Sequence, residues 1–126
     1  MILIIGGAYQ GKLEYARERF PNAPVVQCGE QYPEPDLPEC ACIINAFHLF
    51  ILAQLRAGKD PLACIGTNID ILRNKIILCD DISCGVVPVS PEGRQWREAV
   101  GRCLGLLSRN SESVIRLFCG IPSVLK

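Results

Sequence analysis

The strands open to this chain are apolar at almost every position, and that restricts what it can fold into. Ile2 to Ile5, Cys40 to Ile44, Lys75 to Cys79 and Ser113 to Cys119 carry no period-two alternation. A strand apolar on both sides must be covered on both sides, as in the parallel sheets of α/β proteins. Segments of helix-forming composition lie between these runs. Lys12 to Phe20 is stopped by Pro21, and Ala46 to Ala57 by Gly58. Asp60-Pro61 supplies an N-cap and a first helical residue for a helix reaching Arg73, and Ser90-Pro91 opens another reaching Ser108. Val25 to Gln27 adds a short strand. The pattern predicts an α/β fold with three layers, a mostly parallel sheet with helices on both faces, in a single domain spanning 1–126. Gly29 to Pro38 holds three prolines and three acidic residues, so it reads as a surface loop.

The first strand runs straight into Gly6-Gly7-Ala8-Tyr9-Gln10-Gly11-Lys12-Leu13. Glycines let consecutive backbone N–H groups turn toward one centre, the following helix offers its positive end, and a lysine bridges terminal phosphates. Gly6, Gly7, Gly11 and Lys12 meet that specification, which makes the turn a phosphate-loop candidate for ATP or GTP and the fold a P-loop type. The last position fails it: Leu13 stands where a Ser or Thr hydroxyl would hold magnesium. Asp80 and Asp81, after the strand that begins at Lys75, are the candidate metal carboxylates. The same pair also reads as a solvated acidic turn. Ligands in open parallel sheets bind beyond the strands' carboxyl ends, so Gly6-Gly7, Asn45, Asp80-Asp81 and Gly120 are expected to converge on one crevice.

Composition excludes several classes. Lys+Arg and Asp+Glu both number 13, so no basic surface for nucleic acid or an anionic membrane is indicated, and little repulsion opposes self-association. No apolar run approaches the ~20 residues of a membrane span, and the short amino-terminal run lacks signal-peptide features. A cytoplasmic protein with reduced thiols is the expectation for its eight cysteines, which read mainly as small buried apolar residues. A thiol-based or metal-binding role for Cys28, Cys79, Cys84 and Cys119, all near strand ends, is a minor alternative. His48 is the only imidazole and lies one turn into an apolar helix, where it reads as a packed, hydrogen-bonded ring with no paired carboxylate nearby. Trp96 reads as a packing anchor.

The phosphate turn, and again the chain from Lys75 onward, resembles the bifunctional adenosylcobinamide kinase / adenosylcobinamide-phosphate guanylyltransferase family of cobalamin synthesis. That family opens on a strand and Gly-Gly-Ala-x-x-Gly-Lys-Ser, matched by Gly6 through Lys12 with Leu13 for the serine. Its Thr-Asn-Glu-Val-Gly and Gly-(Ile/Val)-Val-Pro segments correspond to Cys79-Asp80-Asp81-Ile82-Ser83 and Gly85-Val86-Val87-Pro88. Arg94 to Gly101 echoes a family helix, and Gly120-Ile121-Pro122 with terminal Leu125-Lys126 echoes its carboxyl end. The resemblance implies nucleoside triphosphate at the loop, a corrinoid alcohol as phosphate acceptor, and a homo-oligomer, specifically a trimer. For a phosphotransferase the residues themselves make Lys12, on the terminal phosphates, and Asp81 the catalytic candidates, with Asp80 or Asp81 holding metal through water. The departures are Leu13, Asn45 where the family's middle strand ends in an acid, and Leu104-Gly105 in place of an Asn-Gln pair. The histidine that takes GMP belongs to a long segment represented here only by Cys28 to Cys40, which has no histidine. The guanylyltransferase step is therefore expected to be lost. Two functions follow: a nucleotide-dependent phosphotransferase acting on a corrinoid alcohol, or an inactive paralogue serving as nucleotide sensor or assembly partner.

Overall fold

A computed structural model describes residues 1–29 and 40–126. Nearly all of the proline-rich loop expected at Gly29 to Pro38 lies outside the described residues. The elements are β1 (Ile2–Gly6), α1 (Lys12–Arg19), β2 (Val25–Gln27), β3 (Ile43–Asn45), α2 (Phe47–Arg56), α3 (Pro61–Thr67), α4 (Ile69–Leu72), β4 (Ile76–Asp80), α5 (Pro91–Asn110), β5 (Ser113–Phe118) and β6 (Ile121–Val124). The sheet order is β2-β3-β4-β1-β5-β6, parallel through β5, with β6 antiparallel at the edge. The α/β class and the mostly parallel sheet thus agree with the sequence.

The continuous apolar runs divide by parity between two cores. Leu3, Ile77, Cys79 and Val114 pack with Phe47 and Ile51 of α2 and with Val100, Cys103 and Leu107 of α5. Ile4, Leu78, Ile115 and Leu117 face the other way, against Ala16 and Leu13 of α1. Helices therefore lie on both faces, and each strand buries both sets of side chains. Two caps predicted from sequence form as expected. Asp60 accepts from the Leu62 N–H at 3.0 Å and Ser90 from the Gly93 N–H at 3.1 Å, each followed by proline at the start of its helix.

Three expectations are corrected. The helix from Asp60 to Arg73 is two, α3 and α4, because Thr67 and Asn68 turn their side chains onto the Ala63 and Cys64 carbonyls at 3.0 and 2.9 Å. Such back-bonding competes with the next helical turn. The strand expected from Cys40 begins at Ile43, and the Cys40 carbonyl instead accepts from the Lys75 ammonium at 2.6 Å. The strand expected over Ser113 to Cys119 ends at Phe118, and Gly120-Ile121-Pro122 leads into a further strand, β6. Cys119 and Gly120 have φ of 51° and 75°, the two left-handed positions of a tight hairpin turn, and Pro122 is tolerated because β6 is an edge strand. Among the described residues no helix is long and apolar enough to cross a membrane.

Candidate functional site

Parallel pairing brings the carboxyl ends of β1, β4 and β5 to one edge of the sheet. Gly6 is level with Asp80 on one side and Leu117 on the other. A side chain at Gly6 would meet the Leu117 carbonyl at 2.5 Å, so this approach of β1 and β5 requires glycine. Past Gly6 the chain makes a turn with two left-handed residues, Tyr9 (φ 57°) and Gly11 (φ 82°), before entering α1. No side chain caps α1, which leaves its first N–H groups for an outside acceptor. The hairpin turn after β5 rests on this loop. Gln10 Oε1 accepts from the Cys119 N–H, and a side chain at Gly11 would come within 3.7 Å of Gly120.

Lys12 is only 7% exposed. Its Nζ lies 2.6 Å from the Gly7 carbonyl and 2.6 Å from Asp80 Oδ1, so the ammonium is folded into the turn. Leu13 is half-buried and packs against the core on the α1 side. The expected convergence of Gly6-Gly7, Asp80-Asp81 and Gly120 is present. Asn45 lies one strand beyond β4, and its amide donates to Gln27 Oε1 at 2.7 Å.

The two aspartates have different surroundings. Asp80 Oδ1 holds Lys12, while Oδ2 is 3.8 Å from His48 Nε2. The Asp81 N–H donates to the Gly6 carbonyl at 2.9 Å, continuing the ladder. Asp81 Oδ1 accepts from the Ser83 N–H at 3.3 Å and from the Ser83 hydroxyl, and Oδ2 from the Cys84 thiol at 3.1 Å. Burial alone would raise the Asp81 pKa, but these hydrogen bonds and the charge of Arg116 outweigh it and hold the carboxyl below its ordinary range. Among the described residues no three His, Cys, Asp or Glu side chains are grouped as metal ligands. With the Leu13 side chain packed against the core and both aspartates engaged, the residues present do not fit a magnesium shell built on a loop hydroxyl and an acid.

Comparison of the chain with protein-family models and with curated proteins returns no match.

His48 is packed and hydrogen-bonded, as its sequence context suggests, but a carboxylate does sit beside it. Nδ1 accepts from the Asp80 N–H at 3.2 Å, which assigns the proton of the neutral ring to Nε2, facing Asp80 Oδ2. Burial lowers its pKa, the Asp80 charge opposes that, and Lys12 adds to the lowering. Trp96 of α5 is the anchor expected: its Nε1 donates to the His48 carbonyl at 2.8 Å. The arginines of α5 escaped notice as loop ties. Arg97 donates to the Ser83 carbonyl, and Arg94 to the Pro88 carbonyl at 3.3 Å and to that of Val89. They hold the segment after Asp81 beside the crevice. The only sequence signal was their i, i+3 spacing on one helix face.

All eight cysteines are free. Cys28, Cys42, Cys79 and Cys103 are buried, as expected, but Cys40, Cys84 and Cys119 are exposed. Burial pushes the Cys28 and Cys103 thiols up to about 12 and that of Cys79 higher still.

Proposed function

We propose that this chain binds a nucleoside triphosphate, ATP or GTP, with the terminal phosphates over the Gly6–Leu13 turn of a P-loop-type domain. One observation carries the reading. Lys12 is drawn out of water at the head of an uncapped helix, with its ammonium between a glycine carbonyl and the Asp80 carboxylate. Phosphate oxygens can replace the Gly7 carbonyl on that ammonium while the first N–H groups of α1 take the remaining oxygens. Lys12 then neutralises charge on the phosphates.

The resemblance to the adenosylcobinamide kinase family supports an extension of this reading to phosphoryl transfer onto a corrinoid alcohol by a homo-oligomer, with the guanylyltransferase step absent. Transfer of this kind depends mainly on positioning and charge neutralisation, which Lys12 supplies. Asp81 adds a carboxylate beside the same turn, its N–H donating to the Gly6 carbonyl. A second reading, a nucleotide sensor or assembly partner without turnover, is favoured by Leu13 packed against the core and by the hydrogen bonds that occupy Asp81.

Thermal unfolding with ATP and with GTP, each with and without magnesium, tests the shared binding step. At one hundred times Kd, binding adds about 2.7 kcal/mol, a rise in midpoint of roughly 10 °C for a chain of this size. Magnesium is expected to change the rise little, and Lys12→Ala to remove it. No rise with either nucleotide overturns the proposal. Turnover of adenosylcobinamide then separates the kinase from the sensor.

A further inference from the structure

We propose that the open face of β5 beside the phosphate turn holds the base of the bound nucleotide, with Phe118 as the stacking surface and Arg116 as the hydrogen-bond donor. The inference rests on the nucleotide reading above and extends it to the nucleoside end of the ligand.

Parity sets the geometry. Leu117 is 1% exposed and points into the core on the α1 side, so Arg116 and Phe118 project from the opposite face. That face carries no covering helix at this end among the described residues, and Phe118 is 69% exposed. The Arg116 side chain is exposed, and no hydrogen bond or ion pair engages its guanidinium among the described residues. Its charge nonetheless reaches Asp81 and Cys84 across the crevice.

The patch also lies within reach of the phosphates. Gly6 pairs with Leu117, and the Cys119 N–H donates to Gln10 in the loop. The backbone of Leu117, the residue before Phe118, therefore lies about one strand spacing, ~4.8 Å, from Gly6 at the start of the glycine turn. An exposed ring beside a guanidinium with unused donors suits a flat heteroaromatic group rich in acceptors, which is the chemistry of a nucleobase. An apolar contact between copies of the chain fits less well, because it would bury the unpaired Arg116 charge.

Calorimetric titration of ATP, GTP and inorganic tripolyphosphate into the wild type, Phe118→Ala, Arg116→Ala and Lys12→Ala tests the assignment. Phe118→Ala is expected to weaken the tighter-binding of the two nucleotides roughly 5- to 150-fold while leaving tripolyphosphate unchanged. Arg116→Ala should weaken the nucleotide more than tripolyphosphate, and Lys12→Ala should weaken all three. Both β5 side chains are exposed, so neither substitution threatens the fold. If Phe118→Ala binds ATP and GTP as the wild type does, the base site is wrong and the phosphate site stands. A change in sedimentation of that variant with unaltered nucleotide affinity would instead give the face to a contact between copies, and would overturn the inference. If none of the three ligands binds the wild type, the inference and the reading beneath it fall together.

Discussion

Asp80→Ala should unfold this protein more readily than the size of the deletion suggests. Lys12 is 7% exposed in the native chain, and the variant leaves its ammonium with the Gly7 carbonyl, at 2.6 Å, as its remaining partner. Breaking a buried ion pair from one side costs about 3–5 kcal/mol, since the surviving charge stays out of water. The Asp80 side chain is 21% exposed, and that partial screening puts the loss at the lower end, about 3 kcal/mol. Near 4 °C per kcal/mol, the midpoint falls by roughly 12 °C. Lys12→Met should cost less, about 1–2 kcal/mol, because water reaches the Asp80 carboxylate left behind. The double variant loses the pair without stranding either charge, so its destabilisation should fall short of the sum of the singles by at least about 1 kcal/mol. Urea unfolding followed by the fluorescence of the single tryptophan, Trp96, measures all four corners of this cycle. Single losses that simply add, within about 0.5 kcal/mol, would mean that the two groups are not coupled and that Lys12 is not held in the turn by Asp80.

Other perturbations test the surroundings of the site. Gly6→Ala forces a methyl group to within 2.5 Å of the Leu117 carbonyl and should cost about 3 kcal/mol or more by prising β1 from β5. Gly101→Ala meets nothing within 4 Å on the exposed side of α5 and should gain about 0.5–1 kcal/mol; urea midpoints compare the two. A chromogenic disulfide reagent should label Cys40, Cys84 and Cys119 quickly in the native protein and all eight thiols after denaturation, with Cys84 slower than Cys119 because Asp81 holds its proton. The folded pKa of His48 lies below the ordinary 6.5, so on acidification the unfolded chain takes up a proton before the folded one does. Stability contributed by His48 is therefore complete above pH 6.5 and lost as pH falls toward the folded pKa; unfolding free energies of the wild type and His48→Gln should converge across that window.

The strand–turn–helix at the amino terminus was legible because each part announces itself locally: an unbroken apolar run, glycines, then a lysine opening a helix. The order of β4, β1 and β5 was not, since register depends on side-chain packing between segments far apart in the chain. The same distance hid the His48–Asp80 contact, which joins residues 32 positions apart. The second half of the hairpin was missed for a different reason. Pro122 demotes a run as a strand unless it is known to be the outermost, and Cys119 gives no sign that it will take a left-handed backbone. Asn45 and Asp80 were both read at strand ends, yet only Asp80 neighbours β1, and strand order alone made that choice.

The proline in β6 also decides what the sheet does at its border. An imide nitrogen offers no proton, so a stray strand drawing up alongside finds the ladder interrupted near its middle. The exposed aliphatic side chains at this margin, Ile121 and Val124, thus sit on an edge that makes a poor template for aggregation.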